Sequence, residues 1–159
     1  MVILGIDPGI GRCGWGIVNS QLSVVSCQSY GCIETSSKLP VEKRLGQIHR
    51  EVEKIIKKYS PDVLSIEELF WGTNSKTAFV VGEARGVILL CASQNNLPIF
   101  IYTPLQVKIA VTGYGRAEKG QIGKMVKALL KLDTVPKPDD TSDALAVALA
   151  HAFSAKSLH

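Results

Sequence analysis

The chain has 159 residues, of which 46% are hydrophobic and 20% charged, a composition typical of one globular domain and too apolar for a disordered chain. The net charge of +4 permits a polyanionic partner without requiring one. The longest unbroken apolar run, 144–150, is too short for a membrane span, and the first residues lack the basic start of a signal peptide. We therefore expect a cytoplasmic protein with no membrane segment.

The predicted elements begin with strands and continue with alternating helices and strands. An apolar run that ends at Pro8-Gly9 predicts a buried strand over Val2–Asp7. Apolar residues spaced by three and four predict a helix over Val41–Tyr59. The other predicted elements are strands over 13–18, 22–33, 62–67 and 97–102, and helices over 74–94, 104–111, 119–131 and 140–154.

This order predicts an α/β fold in one domain over residues 1–159. Three strands joined as hairpins and then strand-helix alternation predict a five-stranded mixed sheet with helices on both faces. The helix between the third and fourth strands is a crossover, which we expect to be right-handed. Four cysteines with no CxxC pair predict buried free thiols rather than a zinc site, namely Cys13, Cys27, Cys32 and Cys91.

Carboxylates stand at the ends of predicted elements. Asp7 and Glu67 end two strands, and Asp140 and Asp143 share one face at the start of the last helix. If those strands are parallel neighbours, the acids meet at one edge of the sheet. Such a cluster suits Mg²⁺, with Mn²⁺ as a substitute, and two ions could support phosphodiester hydrolysis. Simpler interpretations stay open at this stage, namely a turn at Asp7, a solvated strand end at Glu67 and a helix cap at Asp140.

A basic segment and two aromatic residues are further candidates. Residues 106–132 contain six basic side chains and one acid, so Lys108 and Lys119 could contact phosphates or simply keep the surface soluble. Phe70 and Trp71 follow the fourth strand, where they could stack on unpaired bases or form a small core cluster. The helix over 74–94 is rich in small residues and could pack on the sheet or on a partner subunit.

Four segments, in chain order and over nearly the whole chain, resemble the RuvC family of Holliday junction resolvases: LGIDPGIGRCGWGIV, SIEELFWGTNSKTAFVVGEARG, VKIAVTGYGRAEKGQIGKMVKALL and DDTSDALAVALAH. The resemblance implies a ribonuclease-H-like fold and a homodimeric, Mg²⁺-dependent endonuclease. Such an enzyme resolves four-way DNA junctions by paired symmetric nicks in recombination and repair, alongside a branch-migration helicase complex.

The family's functional positions can be matched residue by residue. The resemblance implies that the catalytic and metal-binding acids are Asp7, Glu67, Asp140 and Asp143. It also implies that Lys108 and Lys119 bind DNA and that Phe70 lies at the junction centre. The neighbouring acids Glu68 and Asp139 do not match the family's motif.

Three other functions compete with this interpretation. An ATPase of the actin and Hsp70 type is disfavoured because we find no second Asp-x-Gly phosphate loop in the sequence. A non-catalytic nucleic-acid-binding module on the same fold would be expected to lose some of the four acids. The main alternative is a related ribonuclease-H-fold nuclease that acts on another branched or RNA-containing substrate.

Overall fold

The computed structural model describes residues 1–22, 24–69 and 75–154. Five strands and five helices follow one another in these ranges. They are β1 (Val2–Asp7), β2 (Arg12–Gln21), β3 (Val24–Glu34), α1 (Val41–Tyr59), β4 (Val63–Glu67), α2 (Ser75–Gln94), β5 (Ile99–Tyr102), α3 (Pro104–Thr112), α4 (Lys119–Leu129) and α5 (Asp139–Ser154).

The strands form one mixed sheet in the order β3-β2-β1-β4-β5. The first three strands are antiparallel neighbours, whereas β4 lies parallel to both β1 and β5. Ile6 of β1 is in register with Ile66 of β4, so the residues that follow them, Asp7 and Glu67, end their strands side by side. This confirms the predicted mixed sheet, and the condition under which Asp7 and Glu67 were expected to meet is fulfilled.

Helices cover both faces of the sheet. On one face α1 and α2 enclose a core that includes the fully buried Ile6, Ile48 and Ile88. On the other face α3, α4 and α5 surround a second core, in which Leu145 and Leu149 have no exposed surface. Helix α5 is apolar on almost all sides because it lies between the sheet and the other two helices.

Glycines allow α5 to lie directly on the strands. A Cβ atom at Gly5 would overlap the carbonyl oxygen of Ala144, and one at Gly14 would overlap that of Asp140. The hydroxyl of Ser65 donates a 2.7 Å hydrogen bond to the carbonyl of Val147 and fixes the same helix from β4. The first turn of α5 is therefore held against the ends of β1 and β2.

Several predicted boundaries and burials differ from the structure. Strand β5 begins at Ile99 rather than at 97, because Asn95 and Asn96 make a turn after α2. Cys13 and Cys91 are buried free thiols as predicted, but the expectation was wrong for Cys27 and Cys32, which are only partly buried.

Helix α2 differs from the others in its long apolar surface. Its segment Thr77–Gln94 has a mean hydropathy of 1.2 and is long and apolar enough to span a membrane. Core helices of soluble proteins can have the same length and composition. The prediction from unbroken apolar runs did not single out this segment. Its Ala84 and Ile88 are buried against the core, whereas Phe79 and Leu90 are exposed.

Candidate active site

Two carboxylates leave the ends of neighbouring parallel strands. Alternation along β1 and β4 turns Asp7 and Glu67 to the same face as Gly5 and Ser65, which is the face covered by α5. Burial, reinforced by the charges of nearby carboxylates, raises the pKa of Asp7 to about 8. Burial and the charge of Asp143 also raise the pKa of Glu67. Both shifts disfavour the ionised carboxylates, because burial and neighbouring carboxylates at the strand ends outweigh the nearby positive charge.

Helix α5 supplies two more carboxylates, and each has a cationic partner. The Nζ atom of Lys119 lies 2.9 Å from an oxygen of Asp143, and Nε of Arg12 lies 3.4 Å from an oxygen of Asp140. Burial raises the pKa of Asp143, although its hydrogen bond with Lys119 opposes the shift. The helix begins at Asp139, so Asp140 lies inside the first turn and the capping interpretation does not fit this boundary.

An open cleft of about 220 Å³ is lined by one carboxylate from β4, one from α5 and two lysines. Glu67 and Asp143 line it together with Lys108 of α3 and Lys119, the first residue of α4. A capping box fixes the first turn of α3 and hence the position of Lys108. The rest of the lining is Pro104, Val107, Ile122 and Ala146. A cleft with carboxylates on one side and ammonium groups beside them can accept a phosphodiester and a cation together.

The donor set fits a divalent metal ion, although its side chains are not arranged as a closed site. Across residues 1–22, 24–69 and 75–154, no group of three acidic, histidine or cysteine side chains is close enough to hold a metal ion. Arg12 and Lys119 engage two of the four carboxylates instead. Burial raises the pKa of Asp7 most and its carboxylate neighbours raise it further, and a bound cation would oppose both effects.

The structure separates the sequence candidates into three groups. The acids at the ends of β1 and β4 and on α5 come together with Lys108 and Lys119, as their mutual electrostatic effects show. Glu68 is exposed and does not line the cleft. Phe70 and Trp71 lie outside the described residues.

Sequence reasoning missed Arg12, whose acidic partner lies at the other end of the chain. Its position a few residues after the first carboxylate was the only signal, because a basic residue there is well placed to reach the same site.

A mixed sheet in this order, with carboxylates at the ends of β1 and β4 and on the helix packed across them, defines a nuclease of the ribonuclease-H-like class. The sequence profile described as crossover junction endodeoxyribonuclease RuvC matches residues 3–151. The chain belongs to the RuvC family, whose members are metal-dependent nucleases.

Individual relatives agree with this assignment over nearly their whole length. The crossover junction endodeoxyribonuclease RuvC of Caldicellulosiruptor saccharolyticus is 57% identical over 99% of this chain and 96% of its own. That of Alkaliphilus oremlandii is 55% identical over 97% and 94%. Among solved structures, Thermus thermophilus RuvC in complex with a Holliday junction substrate has a TM-score of 0.90 and 34% identity, covering 99% of this chain and 96% of that one.

Proposed function

We propose that this protein resolves four-way DNA junctions by paired symmetric nicks during recombination and repair. The observation that carries the proposal is the cleft in which Glu67 and Asp143 lie beside Lys108 and Lys119. Similarity to a RuvC solved with a Holliday junction substrate supports a junction as the DNA that this cleft receives.

The residues that would hold the metal are Asp7, Glu67, Asp140 and Asp143. Their hard oxygen donors suit Mg²⁺, with Mn²⁺ as a substitute, and the number of carboxylates is sufficient for two ions. When bound, such ions favour attack by water on the phosphodiester and offset the charge on the leaving oxygen. The parallel register of β1 and β4 fixes the first two carboxylates, and α5 presents the other two.

The two lysines would bind the DNA backbone next to these carboxylates. Lys108 and Lys119 both lower the pKa of Glu67 through their charge, and both line the cleft beside it. A phosphate placed there gains a cationic contact that strengthens as negative charge develops during cleavage. Lys119 can exchange its ion pair with Asp143 for such a phosphate, because its side chain is 61% exposed.

A homodimer is the simplest arrangement for two symmetric nicks, because each subunit brings one cleft. Helix α2 supports this arrangement, since its apolar Phe79 and Leu90 are 65% and 54% exposed. A Cβ atom at Gly86 would meet nothing within 4 Å, so this face of α2 has room for a second copy. Exposed apolar side chains grouped on one helix face are typical of an interface between subunits.

The resemblance to the family also supports Phe70 as the residue that contacts the centre of the junction. In the sequence it stands between β4 and α2, the helix proposed for the dimer interface. At the junction centre an aromatic ring can stack where bases must unpair. Phe70→Ala should impair cutting of a fully paired junction more than one already unpaired at its centre, and Phe70→Leu should be intermediate. Equal loss on both junctions would favour a packing role.

We further infer that residues 1–159 act as one ribonuclease-H-like domain in the cytoplasm, next to a branch-migration helicase complex. Support for the cytoplasm comes from the DNA substrate, and support for the helicase complex comes from family membership.

The deciding experiment compares cleavage of three substrates in Mg²⁺: a four-way junction, a linear duplex and an RNA–DNA hybrid. We expect nicks at symmetric positions on the junction and little cutting of the other two. Asp7→Asn serves as the inactive control on the same substrates. Preferred cutting of the hybrid would replace the proposal with a related ribonuclease-H-fold nuclease for RNA-containing substrates.

A further inference from the structure

A second groove lies on the opposite face of the sheet from the carboxylates. It has a volume of about 310 Å³, at the lower end of the range of ~300–1,000 Å³ common for ligand pockets. Its lining comes from β2, β3 and α1 and contains none of the acids of the active-site cleft. The lining residues are Trp15, Ser29, Tyr30, Glu51, Lys54, Ile55, Lys58 and Tyr59.

Aromatic rings form much of this groove. The rings of Trp15 and Tyr59 have centroids 5.9 Å apart and planes inclined by 39°, and the Tyr59 hydroxyl donates a 2.9 Å hydrogen bond to Ser29. Gly31 has no side chain to cover the indole of Trp15, and a Cβ atom at this position would lie only 3.0 Å from that ring. Tyr30 pairs with Gly16, whereas Gly31 pairs with Trp15, so the Tyr30 ring projects to the other face of the sheet and the stacking surface consists of Trp15 and Tyr59. The groove therefore offers fixed, half-exposed rings for a flat ligand to stack on.

The rim of the groove is positively charged. Helix α1 carries six basic and three acidic residues, so its charge of 6 − 3 = +3 accounts for most of the chain's net +4. Lys54 is paired with Glu51 at 2.7 Å and Lys57 with Glu53 at 3.0 Å. Lys58 instead lies 5.0 Å from the centroid of Tyr59 and forms no salt bridge with a carboxylate of the described chain. An anion at the edge of the aromatic surface therefore competes with no carboxylate for Lys58, only with its contact to Tyr59.

We propose that this groove binds an unpaired nucleotide of DNA, with its base on the aromatic rings and its phosphate on Lys58. A ligand that satisfies the groove needs a flat ring, hydrogen-bond acceptors and a negative charge, and a nucleotide has all three. Within the described residues the indole N–H of Trp15 has no hydrogen-bond acceptor, so it can donate to the base or sugar. Stacking on aromatic side chains beside a basic groove is a general mode of single-strand binding.

The position of the groove relative to the active-site cleft gives this site a use. Strand β2 carries both Arg12, which contacts the acidic site, and Trp15, which lies about 10 Å further along the strand. The two side chains project into different surroundings, since Trp15 packs with the α1 core. A strand that leaves the cleft across β3 would reach the groove after a few nucleotides. The proposal is separate from the catalytic function, and its test does not use cleavage.

The test measures binding of a short oligothymidine to the full chain through the fluorescence of Trp15, with Trp71→Phe removing the other tryptophan. We expect saturable quenching. Lys58→Ala should weaken binding about fivefold at 0.1 M salt and lower the salt slope by ~0.7, as for one phosphate contact with a single strand. Lys57→Ala is the matched control, because it removes the same charge one residue away and outside the groove. Tyr59→Leu should weaken binding at least about fivefold through lost stacking, whereas Tyr59→Phe, which keeps the ring, should not.

Two results would overturn the proposal. One is the absence of quenching at saturating oligonucleotide, and the other is an equal loss of affinity in Lys57→Ala and Lys58→Ala. An oligonucleotide carrying 5-iodouracil supplies a second measurement in the natural chain. Photocrosslinks to Trp15 or Tyr59 are expected, whereas crosslinks confined to the cleft residues would refute binding in the groove.

Discussion

The carboxylates on the strands and those on α5 influence one another's pKa but are held differently. Asp7 and Glu67 are fixed by the register of β1 and β4, and neither has a salt bridge among the described residues. Asp140 and Asp143 each have a cationic partner, Arg12 or Lys119. Burial and the repulsion between carboxylates therefore act most on the strand pair, and a metal ion bound there must displace the proton that the raised pKa of Asp7 retains. The helix pair is neutralised by side chains that a metal ion or a phosphate must displace instead.

The largest expected effect follows from removing a strand carboxylate. Asp7→Asn should lower cleavage of a four-way junction by at least about a hundredfold, because it removes a ligand from the proposed metal site. Junction binding should persist, since the change adds no repulsion toward phosphate. Single-turnover cleavage and a gel-shift assay would measure the two effects. Cutting at a near-normal rate in Mg²⁺ would refute the metal role of this residue.

The same carboxylate should make the metal-free protein less stable as the pH rises. The folded pKa of Asp7, about 8, lies above its usual 3.8 because of burial and of the charges of Asp143, Glu67 and Asp140, with Lys119 opposing. Between pH 3.8 and about 8 the folded state holds a proton that the unfolded state has lost. The free energy of unfolding therefore falls by about 1.4 kcal/mol for each pH unit in this range.

Urea unfolding in EDTA from pH 5 to pH 8 would measure this loss. Asp7→Asn should flatten the profile and be more stable than the natural chain at pH 8. An unchanged profile in the variant would show that another group controls the pH dependence.

Displacing α5, and with it both Asp140 and Asp143, should also reduce cleavage activity strongly. In Gly14→Ala the new methyl group would overlap the Asp140 carbonyl, and a shift of α5 by about 1 Å can cost about a hundredfold in rate. Gly120→Ala is the matched control, because a Cβ there meets nothing within 4 Å. Cleavage and thermal unfolding of both variants would test the contrast. Equal activity in the two variants would show that α5 tolerates the displacement.

Removing a cation from the helix pair should affect the rate more than the affinity. We expect Lys119→Ala to slow single-turnover cleavage by about tenfold or more, because the lysine acts on charge that develops at the phosphate. Binding should weaken by no more than about fivefold, as for one phosphate contact among many. Lys124→Ala on the same helix, exposed and outside the cleft, is the control. A normal rate with lowered affinity would make Lys119 a docking residue only.

The smallest expected effect belongs to Arg12. Its ion pair with Asp140 is solvent-exposed on the arginine side, which is 59% accessible, so Arg12→Ala should change the free energy of unfolding by less than ~1 kcal/mol. Metal binding, measured by calorimetry with Mn²⁺, should tighten by about twofold because a competing cation is gone. Weaker metal binding would mean that Arg12 positions Asp140 rather than competing for it.

The sequence predicts this fold well where one periodicity covers a whole element. Val2–Asp7 and Val41–Tyr59 have the predicted boundaries, since an apolar run before Pro-Gly and a spacing of three and four are local signals. The sequence misplaced the join between β2 and β3: β2 ends three residues later and β3 begins two residues later than predicted. Leu22 adopts a left-handed turn with φ of 51°, although its side chain suggests a strand.

The candidate site shows the same division between local and distant signals. The four acids could be selected because each stands at the end of an element. The pairing of Arg12 with Asp140 could not, because no periodicity links residues from β2 and α5. The second groove was also hidden, since Trp15 and Tyr59 have the spacing of core residues and only the packed structure leaves their rings half-exposed.

The order of the elements along the chain has a consequence for protein synthesis. Asp7 and Glu67 come from the first half of the chain, whereas the other two carboxylates wait for α5, the last of the described elements. A nascent chain therefore lacks half of the proposed metal ligands until residues 139–154 have been made and packed across the sheet. We therefore expect an incomplete or prematurely released copy to be inactive, since it lacks Asp140 and Asp143.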